Sequence, residues 1–509
     1  MALVLLLAFF LAALAYAYWR WEHSASGKAA KIVKQWPGPP QLPLLGNSLE
    51  FKKGAALARQ FMEDWYPKYG SPMRFGLGPV QGVHIFRPNQ IEAVLKDLKN
   101  TRKSQEYDFV ADWLGQGLLI SNGEKWFQRR KLLTPSFHFA ILKDFLGTFN
   151  RQAAILMRLL SIKATAQSQQ PFDICPYIAH AALDVICETA MGATMNAQED
   201  SNSPYVDAIK RFADEGNLRM MQPWLWPDFL FYYVFYQKGR SWKQILQTLH
   251  GFTNSVIERK LEERRVEKAS KKDESDDTSM EPQKKRRVFM DLLLDLMDEG
   301  KLSIKDVQEE VDTFMFEGHD TTAHGIMWAV YSFARNPEAQ QLARDEVNAV
   351  LGDRTEMLAE DLANLPYLDQ CIKESQRLWP SVPMIIRIID EDLQIDEQYT
   401  LPKGTPVYLN FVSLHRQADY WPEPMAFQPE RFSQDAAKDR HPFAFVPFSA
   451  GLRNCIGQKF AQMEMKVMLA NLLRHFRFGC NMEEADMEPA FMFILRPEKG
   501  VHVTLEPLR

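Results

Sequence analysis

The chain has 509 residues, 46% of them hydrophobic and 25% charged, with a net charge of −5 and a pI of about 6.2. That length and apolar content allow a large buried core, and the near-balanced charge lacks the basic excess of a nucleic-acid binder. Five cysteines at scattered positions (Cys175, Cys187, Cys371, Cys455 and Cys480), without a Cys-x-x-Cys pair, point away from a zinc site or a disulfide scaffold.

The first element is Ala2 to Trp19, eighteen apolar or aromatic residues without a charge. As a helix it spans about 27 Å, close to the hydrocarbon thickness of a bilayer. Arg20, Lys28, Lys31 and Lys34 follow it and no Lys or Arg precedes it, a bias that keeps the downstream chain cytoplasmic. Ala15-Tyr16-Ala17 resembles a cleavage site, but a signal peptide carries a basic n-region and this run has none. Residues 1–24 therefore read as a retained anchor. Residues 25–44 read as a basic, Pro-rich linker, stiffened by Pro37, Pro39, Pro40 and Pro43, because each proline fixes φ and lacks an N–H.

The body then covers residues 45–509. Met73 to Phe86, broken by Gly-Pro, predicts a β-hairpin. Helical periodicity follows over Trp126–Thr134, Ile141–Ile162, Ile174–Met191, Tyr205–Arg219 and Trp242–Glu267. The charged, Ser-rich stretch from Val266 to Arg287 predicts a loop, its Lys284-Lys285-Arg286-Arg287 cluster being solvated. A second helical block runs from Ile304 to Leu378, short strands are expected at Met384–Asp390 and Thr405–Phe411, and a last helix at Cys455–Phe476. The fold class is mainly α with a minor β portion, in one large domain.

Phe448-Ser449-Ala450-Gly451-Leu452-Arg453-Asn454-Cys455-Ile456-Gly457 carries the chemistry. Gly451 and Gly457 let the backbone approach a flat macrocycle. Cys455 is expected where the last helix begins, and a helix N-terminus favours a thiolate. Arg453 offers a cation to a propionate. The segment resembles the haem-binding signature of the cytochromes P450, Phe-x-x-Gly-x-Arg-x-Cys-x-Gly. That resemblance implies the cytochrome P450 fold, haem b (iron-protoporphyrin IX) as cofactor, Cys455 as the metal ligand, and Phe448 and Arg453 in the cofactor site.

Companion motifs extend the resemblance. Glu374 and Arg377 lie one helical turn apart, as do Glu262 and Arg265. In the family, the first pair is joined by the arginine of a Pro-Glu-Arg-Phe element, here Arg431. Trp126-x-x-x-Arg130 and Arg387 match positions that contact haem propionates. In Phe316-Glu317-Gly318-His319-Asp320-Thr321-Thr322, Asp320 and Thr321 match the acid–alcohol pair that delivers protons for dioxygen cleavage, and His319 is expected to be packed rather than a ligand. Glu317 is similar to the glutamate of family four, the microsomal fatty-acid ω-hydroxylases, that can form an ester to a haem methyl; the chain resembles the C and V subfamilies of that family.

The resemblance implies a monooxygenase acting on a lipophilic substrate, fatty acids at the ω position. The same resemblance implies a place at the endoplasmic reticulum membrane on a single-pass anchor, with the catalytic domain cytoplasmic. It implies NADPH–cytochrome P450 reductase as electron donor and cytochrome b5 as an optional second one, with Lys131 and Lys459 as candidate docking cations. Cavity walls are expected from Tyr107–Leu119, the central helix, Pro383–Ile386 and Met492–Phe493. The aromatic run Trp224–Tyr236 suits a bilayer interface. Alternatives are the same chemistry on terpenoid hormones or foreign compounds, a peroxide isomerase or dehydratase (which needs no proton relay), and a haem sensor.

Overall fold

The computed structural model of the protein describes residues 20, 23–43, 45–52, 54–78, 80–137, 142–166, 170–200, 203–273, 289–491 and 493–508. The expected anchor run Ala2–Trp19, the Lys284–Arg287 cluster and Met492 lie outside them. Among the described residues no helix is long and apolar enough to cross a membrane.

The helices that frame the site are α1 (Ala25–Val33), α2 (Asp108–Leu114), α3 (Gly123–Leu133), α4 (Leu146–Ala166), α5 (Cys175–Ile186), α6 (Pro204–Met221), α7 (Tyr236–Asp273), α8 (Ile304–Arg335), α9 (Pro337–Leu351), α10 (Pro366–Leu378) and α11 (Gln458–His475). Helix α8 is the axis. Ser303 and Asp306 close a reciprocal capping box at its start, satisfying N–H groups that a helix end leaves orphaned. It packs against α5, α7, α10 and α11. Trp328, Phe333 and Val330 of α8 sit in one large core cluster with Phe149 of α4, Leu183 of α5 and Leu469 of α11.

The β portion is a four-stranded sheet in the order β1 (Met73–Leu77), β2 (Val80–Ile85), β7 (Pro406–Asn410), β4 (Met384–Ile388). Strands β1 and β2 pair antiparallel as the predicted hairpin, β2 and β7 run parallel, and β4 pairs antiparallel with β7, setting Ile386 opposite Tyr408. Alternate residues point to opposite faces. Ile385, Val407 and Leu409 accordingly join one core cluster, while Ile386 and Tyr408 join Phe75 and Leu77 in another. The smaller sheets hold β3 (Phe172–Asp173), β8 (Phe476–Gly479) and β11 (His502–Pro507), then β5 (Leu393–Gln394) with β6 (Thr400–Leu401), and β9 (Pro489–Phe491) with β10 (Leu495–Pro497).

Two expectations are corrected. The stiff, Pro-rich segment expected to separate an anchor from the body is itself packed on the body. Ala29, Ala30 and Val33 of α1 are buried, Trp36 packs edge-on against Tyr399 at 4.9 Å, and Arg74 donates to the Trp36 and Pro39 carbonyls at 2.9 and 2.8 Å. Prolines keep this stretch out of helix, and an arginine on the sheet takes up two of its carbonyls. The second correction is at Val266: α7 runs on to Asp273. Glu, Lys and Arg are good helix formers, and Lys268 reaches Asp298 at 2.8 Å.

Candidate functional site

A cavity of about 330 Å³ opens between α8, the Cys455 loop and the four-stranded sheet. It reaches from Cys455 to Phe51 and Phe75, and most of its wall is apolar. Tyr107, Leu118, Leu119, Pro383–Ile386 and Phe493 line it, as the sequence led one to expect.

The Cys455 loop is built by tight backbone geometry. Cys455 N–H donates to the Phe448 carbonyl at 2.9 Å, and Val446 N–H donates to His415 Nε2 at 3.0 Å. Gly451 has φ +71°, and a Cβ there would stand 1.9 Å from the Leu95 carbonyl oxygen, so only glycine fits. Cys455 does not begin the helix: α11 starts at Gln458 with Gly457 at its N-cap. The Gly457 N–H still acts on the sulfur and lowers its pKa, as does the Arg130 charge. Cys455 is exposed only in the sense that it faces this cavity. Burial, with the charge of Glu317, pushes the thiol up to about 11; a coordinated metal ion removes such a proton.

Four cations gather around the same cavity: Lys103, Arg130, Arg387 and Arg453. Among the described residues none of them is ion-paired with a carboxylate within 4 Å. Burial, then the Arg387 charge, pushes Arg453 down to about 9. Burial and the repulsion of Arg387 and Arg453 lower Lys103. Arg453 Nη2 donates to the carbonyls of Leu119 and Ser121 at 3.0 and 2.9 Å, and the guanidinium lies 4.7 Å from the Trp126 ring centroid. Arg130 grips Asn454 twice, at 2.8 Å each. Trp126 and Phe448 also line the cavity. Nothing in the sequence singled out Lys103; its neighbourhood arises only when its bridge to Arg387 brings two distant segments together.

Opposite the thiol, α8 presents Glu317, Gly318, Thr321 and Thr322. Burial, with the charge of Asp320, pushes the Glu317 carboxyl up to about 7 against the pull of Lys103. Thr321 Oγ1 donates to the Glu317 carbonyl at 2.6 Å. Asp320 is not on the cavity wall. Its carboxylate pairs with Arg496 at 2.8 Å and with His324 at 3.3 Å. Burial would raise it, but Arg496 and His324 outweigh that and hold it well below the usual carboxylate range. His319 is packed in the core, and burial lowers it to about 4.

Beneath the cavity, Glu374 and Arg377 are fully buried and joined at 2.7 Å, and Arg431 closes on Glu374 at 3.4 Å. The look-alike pair Glu262 and Arg265 is exposed. Lys131 and Lys459 are exposed. Among the described residues no cluster of three or more His, Cys, Asp or Glu is arranged to hold a metal ion.

A flat macrocycle carrying a metal ion and two carboxylates fits this cavity. Cys455 would supply its metal ion with a sulfur ligand, and Lys103, Arg130, Arg387 and Arg453, none of them ion-paired among the described residues, would meet its carboxylates. A family profile described as Cytochrome P450 matches residues 37–505. The chain is 43% identical over 471 residues to human Cytochrome P450 4V2, covering 91% of this chain and 88% of that one. It is 38% identical to Cytochrome P450 4c3 of Drosophila melanogaster (94% and 90% covered) and 39% identical to Cytochrome P450 4c21 of Blattella germanica (94% and 94%). A haem cofactor, a redox-partner reductase and a lipophilic substrate are general to such enzymes. The chain is a cytochrome P450 monooxygenase and belongs to family four.

Proposed function

We propose that this P450 hydroxylates fatty acids at or near their terminal carbon. The observation that carries the reading is that Glu317 lines the same apolar cavity as Cys455, on the helix facing it. Cys455 would ligate the iron of haem b, with Arg130, Arg387, Arg453 and Trp126 holding the propionates and Lys103 beside them. Glu317 would form an ester to a haem methyl, its carboxylate oxygen replacing one methyl hydrogen in a two-electron oxidation supplied by dioxygen and reductase electrons during turnover. That bond would hold the cofactor rigidly enough to favour a methyl group over weaker secondary C–H bonds. When bound, the haem supplies dioxygen activation with electrons from NADPH–cytochrome P450 reductase or cytochrome b5. Thr321 orients its hydroxyl at the cavity wall, and Asp320 next to it carries the charge of a proton-delivering pair. The run Ala2–Trp19 would anchor the chain in the endoplasmic reticulum membrane, with Lys131 and Lys459 facing the reductase on the cytoplasmic side.

The test is the product profile of reconstituted enzyme, reductase and NADPH with medium- and long-chain fatty acids. Predominantly terminal hydroxylation is expected. Fatty acids left untouched by an enzyme with a thiolate-ligated haem spectrum would remove the substrate class. One observation favours a second reading: Glu106 and His84 line the cavity with Phe75 and Tyr408 of the sheet, and neither offers a cation to a fatty carboxylate, since Glu106 is acidic and burial lowers His84 to about 3. A neutral lipophilic substrate, such as a terpenoid, suits that part of the wall, and the same assay with a sesquiterpene ester distinguishes it. Acidic solvent extraction tests the ester. Quantitative recovery of free haem after turnover would exclude it.

A further inference from the structure

Asp320 belongs to a closed ring of bonds. Its Oδ2 accepts from Arg496 Nη2 at 2.8 Å. Arg496 lies in β10, and the N–H of Leu495 beside it donates to the Ser381 carbonyl at 2.8 Å. The Ser381 hydroxyl donates in turn to the Thr321 carbonyl at 2.8 Å, and Thr321 follows Asp320 in α8. Acid and alcohol are thereby tied to β10 and to the segment after α10. The indole of Trp328, two turns further along α8, donates to the Leu495 carbonyl at 2.9 Å. Phe493 and Ile494, which lead into β10, line the cavity.

The Arg496–Asp320 pair is buried, with side chains 11% and 6% exposed. Removing one partner of such a pair leaves an uncompensated charge in a poorly solvated place. Among the described residues the other charged or titratable groups around it include His324 and His319 on α8, Glu317 one turn before Asp320, Tyr205 of α6, and Asp214 of α6 near Arg496. Among the described residues Arg496 Nε is buried without a hydrogen-bond partner, so the guanidinium is held mainly by Asp320.

We propose that Arg496 is a positioning residue for proton delivery, holding Asp320 as a carboxylate behind the cavity wall and linking it to the surface that Phe493 and Ile494 present to substrate. The inference rests on the reading of Asp320 and Thr321 as the proton-delivering pair. Substrate pressing on Phe493 and Ile494 acts on β10, and through Arg496 on Asp320.

The test is a double-mutant cycle in the full-length, haem-loaded enzyme with reductase, NADPH and dodecanoic acid. The readouts are hydrogen peroxide released per NADPH consumed and the solvent deuterium isotope effect on NADPH turnover. Arg496→Met is expected to raise the peroxide fraction at least threefold and to change the isotope effect, with Arg496→Lys recovering most of the loss. In an Asp320→Asn background the same substitution adds nothing, because its route through Asp320 is already cut. An undiminished further loss in that background, or parental values for Arg496→Met alone, overturns the proposal. Parental values for Asp320→Asn alone overturn instead the reading of the acid–alcohol pair on which it rests. Should Arg496→Met not retain haem, Arg496→Gln and Ser381→Ala break the same ring at two different bonds, and parental values in both overturn it.

Discussion

Gly451 decides whether Cys455 can reach the cavity at all. Its positive φ and the Leu95 carbonyl 1.9 Å from where a Cβ would stand leave no room for a side chain. Gly451→Ala is expected to displace the loop and abolish the thiolate-ligated haem spectrum, while far-UV circular dichroism keeps its helical content. Glu310 gives a pH-dependent prediction. Burial pushes its carboxyl up to about 7 although Arg129 donates to it at 2.8 Å and the Leu118 N–H at 3.1 Å. Between about pH 4.5 and 7 the folded protein holds a proton that the unfolded chain has lost, so this group's contribution is full below that window and falls as pH rises through it. Glu310→Gln cannot lose that proton. Its melting temperature relative to the parent is expected to rise between pH 5 and pH 7.5, and a constant difference would count against the assignment. At this scale the sequence was most legible where residue type and spacing are both demanding, as around Cys455. It was blind where a common residue gains its meaning from a distant neighbour, as with Lys103. It gave no sign either of the partner of Asp320, because helix periodicity does not reveal that Arg496, 176 residues on, holds that side chain.

Among elements, α10 and the turn Pro429–Phe432 show why a motif needs its structural context. Glu374 accepts from Arg377 and from the Gln428 N–H, and Arg377 spends its remaining donors on the carbonyls of His415, Pro424 and Ala426. Glu374→Ala strands two buried guanidinium groups, and breaking a buried pair in this way costs about 3–5 kcal/mol. Glu262→Ala, at the same spacing on a solvent-facing helix, costs about 0.5 kcal/mol or less. Denaturant unfolding of the two variants side by side measures the contrast, and equal losses would refute the triad's structural role. The Pro-Glu-Arg-Phe element was the sequence feature that separated the two pairs. Charge composition misled at Val266, since residues that can solvate a loop can equally solvate a helix face, and Arg264 and Lys268 have Asp295 and Asp298 to pair with.

On the scale of the whole molecule, the cavity is assembled from residues between Phe51 and Ile494, so its shape depends on long-range packing that no local pattern encodes. Its apolar character and several wall segments were legible all the same, because each wall segment is itself apolar. One surface feature bears on how substrate reaches it. The segment between α6 and α7 leaves Phe229, Tyr233 and Val234 exposed, as is Tyr236 at the start of α7, while Arg219 stacks 4.1 Å over Phe231 and pairs with Asp228 at 2.6 Å. Arg219 thus fastens this apolar surface to α6, whose Met220 and Met221 line the cavity. Contiguous exposed aromatic surface of this kind suits a bilayer interface. If the segment lies in the headgroup region, Trp224 is within reach of lipid. Its emission is then quenched by brominated phospholipid in nanodiscs holding the full chain, and Trp224→Phe removes a measurable share of the quenched signal. A quenched fraction unchanged by that substitution would place the segment in water, and substrate would then have to reach the cavity from the aqueous side.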